Sequence, residues 1–386
     1  MTSSTTLFTG VLAASFLSAS CGGTDHSSNV DDAAVIEDGG ADGAVGASDG
    51  PSNDALSPAD AGYDAPPSVG RCGAFDFSAA RAVLIQAVAS KKINGAGLAV
   101  LRKGCPPLLL ESFGNQTNAS VVELASASKA PSALAIMSLV ERGTLSLDAK
   151  VGEVLTDAPA DKAQISLREL LSHTSGLPGN ATCLASDSLT LAACAKEILG
   201  ARLQTPPAFV YGGASFQVAG RMAEVASGKP WNTLFSEALS APCEAETLSF
   251  AASPRNNLGS DINPRIAGGA AASLVDYARF LSVFVNGGRC GDVRVLTSST
   301  VTTILTNHIG ALDQSGSPLS QAEGYGLGWW REKGGVIWSD PGAFGTYPWI
   351  DASHDYAAVL LIRKSLTVGH DLFVELQPRI EAALVR

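Results

Sequence analysis

Apolar residues at Phe77, Ala80, Leu84 and Val88 share one helical face, and Asp76 stands where it can cap them, so the pattern predicts a helix over roughly 77–91. The period then changes. GLAVLRKG and PLLLESFG are short apolar runs joined through Cys105-Pro106-Pro107, which predicts a hairpin. The stretch ELASASKAPSALAIMSLVERG, residues 123–143, opens a long alanine-rich helix. SLRELLSHTSGLPG follows, with Ser166 and Glu169 at capping-box spacing and a turn at Gly176-Leu177-Pro178. From about 180 to 310 the pattern is mostly helical, with Gly- and Pro-rich breaks. Strands return in YGLGWWRE, GVIWSDPGAFGTYPWID and YAAVLLIRK, and an amphipathic helix interrupted by Pro378 closes the chain.

Strands at both ends with helices between them predict an α/β (α+β) fold. A central antiparallel sheet is built from both termini and flanked by helices, and a mostly helical subdomain is inserted. Composition sets the limits of that body. Residues 1–20 carry no charged side chain and contain an apolar run, as in a secretory signal, although no Lys or Arg stands near the start. Leu17-Ser18-Ala19-Ser20-Cys21 resembles a lipoprotein cleavage site, with Ser18 where leucine is usual. Cys21 is therefore the expected lipid-attachment residue, holding the exported protein on a membrane in the periplasm or at the cell surface. Residues 21–70 read as a disordered linker, because a Gly/Ala/Ser/Pro/Asp segment cannot bury enough apolar surface to offset its ordering entropy. Ten of the 37 acidic residues fall in 22–70 and none of the 26 basic ones, so that 27 acids face 26 bases from Arg71 onward. The net charge of −11 thus describes a solvated tether and not the 71–386 domain, and no basic patch suggests nucleic acid.

Six further cysteines behind an export signal suggest disulfides. Fifteen pairings are possible. Sequential pairing of Cys72 with Cys105, Cys183 with Cys194 and Cys243 with Cys290 is expected, because each closes a local loop beside a turn. None has CxxC spacing and the histidines are scattered, so no metal site or cofactor is implied.

Ser126 and Lys129 stand three apart at the start of the 123–143 helix, where the amine can reach the hydroxyl. Burial would lower the lysine's pKa towards a usable base, and free N–H groups at the helix start can hold an oxyanion. Ser128 lacks that spacing. A lone S-x-x-K is a weak signal, since a serine at a helix start usually caps it. GASDG at 46–50 also fits a nucleophile elbow, but it has no strand before it and no helix after it.

Taken in order, Ser126-Ala-Ser-Lys129, LLSHTSGLP, FVYGGASFQVAGRMAEVASGKPW, NPRIAGGAAASLVDYARFL, GYGLGWW and DPGAFGTYPWID resemble the serine β-lactamase and penicillin-binding superfamily. The nearest branch is the class C β-lactamases and the esterases of the same fold, and the likeness covers roughly residues 75–385. It implies Ser126 as the acyl-accepting nucleophile, Lys129 as the group that takes its proton, and Tyr211 as a partner in the proton relay. It implies oxyanion donors on Ser126 and Ala343, with Gly342 preceding the latter, and gives His173 the task of holding its turn. Two positions depart from the pattern. Gly213 stands where the family has an asparagine that binds substrate amides. Asp340 stands where it has a lysine that attracts a substrate carboxylate, and an aspartate there either repels that carboxylate or turns away into a turn with Pro341. Both departures point to a carboxylesterase-like serine hydrolase acting on small uncharged acyl esters. A β-lactamase or a D-alanyl-D-alanine carboxypeptidase acting on cell-wall peptide would need a cation from elsewhere, for which Arg331 and Lys333 are candidates. A silent binding protein of the same fold is the remaining alternative.

Overall fold

The computed structural model describes residues 72–204, 208–250, 260–315 and 317–385, so the expected signal, Cys21 and the acidic linker lie outside the described residues. Among the described residues the main sheet has strands β1 (Gly95–Arg102), β2 (Leu109–Gly114), β3 (Gly324–Tyr325), β4 (Trp330–Arg331), β5 (Ile337–Ser339), β6 (Tyr347–Asp351) and β7 (Tyr356–Ile362). Their spatial order is β2-β1-β7-β6-β5-β4-β3, with every pairing antiparallel. The sheet is thus closed at its centre by the two ends of the domain: β1 pairs with β7 from Ala96 opposite Ile362 to Arg102 opposite Tyr356.

Alternation along β7 explains why all seven of its residues are buried. Ala357, Val359 and Leu361 point into one core, while Tyr356, Ala358, Leu360 and Ile362 point into the other. On the second face lie α1 (Ser78–Ala89) and, from the far end of the chain, a helix spanning Leu366–Leu384. The first face carries α2 (Lys129–Glu141), α3 (Ala214–Ser227) and α4 (Leu274–Val285), together with the shorter helices of the inserted region. The Leu366–Leu384 helix is numbered α5. Helix α2 is buried almost all round because it runs through the middle of that larger core.

The local signals behave as their chemistry requires. Asp76 accepts a 2.9 Å hydrogen bond from the Ser78 N–H at the start of α1. The Ser166–Glu169 capping box is closed in both directions. All three sequential disulfides form. Two readings need correction. YGLGWWRE is not one strand: Gly328 takes a positive φ of 83°, and the segment folds into β3, a turn and β4. Pro378 does not interrupt α5, which runs through it. The carbonyl that loses its partner belongs to Val374, whose side chain is 54% exposed, so water can reach this side of the helix.

Candidate active site

Ser126 lies in a 3₁₀ turn, Ala125–Ser128, which runs directly into α2 at Lys129. Three residues per turn bring side chains at i and i+3 nearly into line, and the Lys129 Nζ lies 3.2 Å from the Ser126 Oγ. The preceding Ala125 is held at φ 47°, a left-handed conformation that a side chain adopts at a cost. Ser128, the other candidate hydroxyl, is fully buried and accepts the Ala270 N–H at 3.0 Å. It is structural. Ser132 donates to the Ile266 carbonyl at 2.8 Å and Lys129 to the Ala267 carbonyl at 3.1 Å, so residues 266–270 brace the whole start of α2.

Lys129 is 2% exposed. Burial pulls its pKa down to about 8, against the anionic pull of Asp340 and with help from the charge of Arg265. It can therefore give up its proton near neutrality. Tyr211 sits below it, with the Lys129 Nζ 4.5 Å from the ring centroid. A lysine charge this close would by itself draw a phenol's pKa down towards that of a usable base. The shift instead runs upward, driven by burial and then by Asp340, with hydrogen bonding to Ser126 and Trp330 opposing it. Tyr211 accordingly holds its proton at neutral pH, while Lys129 has a pKa close to it.

His173 lies in the expected turn. It is buried at φ 61°, its carbonyl accepts the Val210 N–H at 2.9 Å, and its ring lies 4.8 Å from that of Tyr211. Burial and the Lys129 charge keep the imidazole neutral. The Gly212-Gly213 pair after Tyr211 has a steric reason. The Gly213 N–H donates to the Gly179 carbonyl at 2.7 Å, and a Cβ on Gly212 would lie 1.7 Å from that same oxygen. At Gly213 a Cβ would meet the tip of Leu184 at 2.9 Å and stand 3.8 Å from the Asn180 Oδ1. The amide missing at position 213 thus has a neighbour that carries one.

Asp340, expected at the substrate, does not line the pocket. It is fully buried, and its Oδ2 accepts the Ala130 N–H at 2.9 Å. Ser128, the residue before α2, supplies no side-chain cap, so the Asp340 carboxylate, 210 positions beyond Ala130, caps the helix and complements its dipole. Burial raises the Asp340 pKa while the Lys129 charge opposes that rise. Gly342 is likewise packed behind the pocket: a Cβ there would lie 2.0 Å from the Leu124 carbonyl, two residues before the nucleophile. Close approach of the two segments leaves Ala343 at the rim, where it and Phe344 line the pocket.

That pocket has a volume of about 440 Å³ and contains Ser126, Lys129, Tyr211 and Gly213. It also contains Asn180 and Arg265, neither of which was singled out from sequence. Arg265 was hidden because the residues that place it are not its neighbours in the chain. Gln217 of α3 accepts the Ile266 N–H at 3.2 Å and donates to Asn263 and to the Pro264 carbonyl. Arg331 and Lys333, the cations considered earlier, do not line the pocket; Arg331 bonds to the Gly335 carbonyl in its own hairpin. Trp329, Trp330 and Trp349 are core residues.

Residues 80–373 match the family model described as Beta-lactamase. A provisionally assigned β-lactamase from Bacteroides dorei DSM 17855 superimposes with a TM-score of 0.69 at 30% identity, covering 81% of this chain and all of the other. EstCE1, a hydrolase with promiscuous acyltransferase activity, has the same fold, with a TM-score of 0.65, 19% identity and coverage of 79% and 98%. Penicillin-binding protein 4 of Amycolatopsis lactamdurans is 30% identical over 247 residues, which are 55% of this chain; the chain spans 63% of that relative's length.

Proposed function

The chain belongs to the beta-lactamase family, and from that premise we propose that it is a serine hydrolase cleaving carboxylic esters through an acyl-enzyme on Ser126. The observation that carries this reading is the Lys129–Ser126 contact of 3.2 Å, in which a buried amine with a pKa of about 8 stands beside a hydroxyl open to the pocket. Neutral Lys129 takes the Ser126 proton as Oγ attacks the substrate carbonyl. Backbone N–H groups of Ser126 and Ala343 are the assigned donors to the resulting oxyanion. Tyr211 passes its proton to the departing alcohol and takes one back from protonated Lys129, which returns to its neutral form. Water attacking by the reverse route then releases the acid and restores the serine.

A second reading, hydrolysis of β-lactams or of peptides ending in D-alanine, is favoured by Arg265 in the pocket, since a cation there is what that chemistry lacked at position 340. Export and a lipid on Cys21 complete the proposal, supported by the composition of residues 1–21. The test is steady-state turnover of p-nitrophenyl butyrate, the chromogenic cephalosporin nitrocefin and D-alanyl-D-alanine peptide. The proposal expects the ester to be cleaved fastest, and the Ser126→Ala variant to lose at least about a thousandfold in kcat/KM. Preferential turnover of nitrocefin or of the peptide would hand the assignment to the second reading. An ester rate unchanged by Ser126→Ala would refute both.

A further inference from the structure

A second group of chemically capable side chains meets outside the pocket. Asp351 ends β6, at the opposite end of the strand from the turn that carries Gly342 and Ala343. Side chains alternate along a strand, so Asp351 shares a face with Tyr347 and Trp349, the face that α5 covers. Its carboxylate is fully buried there. The turn between β6 and β7 brings His354 back to it, and the last turn of α5 supplies Glu381. The His354 Nδ1 lies 2.8 Å from the Asp351 Oδ2 and 3.4 Å from the Glu381 Oε1. One ligand atom from each of the three residues stands within 4.8 Å of the other two.

Two features separate this group from an ordinary ion pair. Both carboxylates approach the same ring nitrogen. Nδ1 carries at most one proton, and the Ser353 hydroxyl stands 3.1 Å from it as well, so a protonated imidazole cannot serve both acids there. A metal ion with several coordination positions can. The spacing is the second feature. Tetrahedral zinc, about 2.0–2.1 Å from nitrogen and oxygen ligands, sets those ligands about 3.3 Å apart. The edges of 2.8 and 3.4 Å found here lie on either side of that value.

The outer contacts hold the ligands in place. The Asp351 Oδ1 accepts the N–H groups of Ser353 and His354 at 2.9 and 3.1 Å and the Ser353 hydroxyl at 2.6 Å, which leaves Oδ2 facing the imidazole. Gln377, one turn before Glu381 on α5, donates to the Glu381 Oε1. The C-terminal end of α5 adds partial negative charge, which favours a cation. One imidazole nitrogen with two carboxylates suits a borderline transition metal, whereas calcium and magnesium take oxygen ligands.

We infer that Asp351, His354 and Glu381 form a binding site for a divalent transition-metal ion of the zinc class, which fastens the β6–β7 turn to the end of α5. The ion is structural, and the inference does not depend on the hydrolase reading. Scattered histidines gave no sign of it in the sequence, because only one of the five takes part and folding supplies the other two ligands.

The test is calorimetric titration of the chelator-treated, dialysed protein with zinc chloride, with melting curves recorded alongside. One zinc ion per chain is expected to bind, in the micromolar range or tighter, and to raise the melting temperature. His354→Ala and Glu381→Gln, both at partly exposed positions, should each weaken zinc binding by about tenfold or more and shrink the rise in melting temperature. His370→Ala, at a histidine outside the group, should bind zinc as the unmodified protein does. No zinc binding, or binding that survives both ligand variants, overturns the inference. So does calcium or magnesium binding as tightly as zinc. Melting curves indifferent to zinc but lowered by His354→Ala would reduce the group to an ion-pair cluster and overturn it likewise.

Discussion

At the scale of single residues, the burial of Lys129 and Asp340 sets the pH dependence expected of the proposed chemistry. Burial disfavours both charges, lowering the lysine and raising the aspartate, while their mutual attraction opposes each shift. Because the active form of Lys129 is neutral, kcat/KM should rise as pH increases towards about 8 and level off above it. Asp340→Asn keeps an oxygen for the Ala130 N–H but removes the anion that holds the lysine's pKa up. The rising limb should therefore move to lower pH, with little change in the plateau. A pH–rate profile of the two proteins checks this, and an unmoved limb would mean that Asp340 does not act on Lys129. The lysine–serine pair was legible in the sequence because its geometry is local, three residues along one turn. The direction of Asp340 was not legible, because its partner, the Ala130 N–H, lies 210 positions away and only the packing of the turn after β5 against α2 brings them together.

Elements meet around the site through backbone contacts that leave no room for side chains. The loop ending at Gly179 presses on Tyr211-Gly212-Gly213 just before α3, and the turn at Gly342 presses on the carbonyl before the nucleophile. Gly212→Ala would place a methyl 1.7 Å from the Gly179 oxygen, so the two loops must part. A stability loss of about 1–3 kcal/mol is expected, the range for overpacking. Since Tyr211 moves with the loop, kcat should fall more than tenfold while Lys129 keeps its pKa. Thermal melting and the pH profile of the variant measure these effects. Element identities in this region followed from capping and periodicity, as the Ser166–Glu169 box shows. The failures were of continuity: Pro378 was read as a break although the helix tolerates it at a solvated face, and YGLGWWRE as one strand although a positive-φ glycine folds it back.

For the whole molecule, the sheet joins the two ends of the domain, β1 to β7, and each of its faces carries its own core. The architecture was legible because strands at both ends with helices between them leave few ways to cover both faces of a sheet. The pocket was legible only in part: Tyr211 and Ala343 were named through the ordered motifs, whereas Asn180 and Arg265 come from other stretches of chain that join them only in the folded protein. What the assembled site is claimed to do is form a covalent bond at one serine. The most direct measurement is the intact mass of the purified protein after treatment with excess fluorophosphonate, followed by peptide mapping. The account predicts one adduct, on Ser126, that is lost or strongly slowed in Lys129→Ala. An unlabelled protein under conditions that label a known esterase, or an adduct at any other residue, would contradict it.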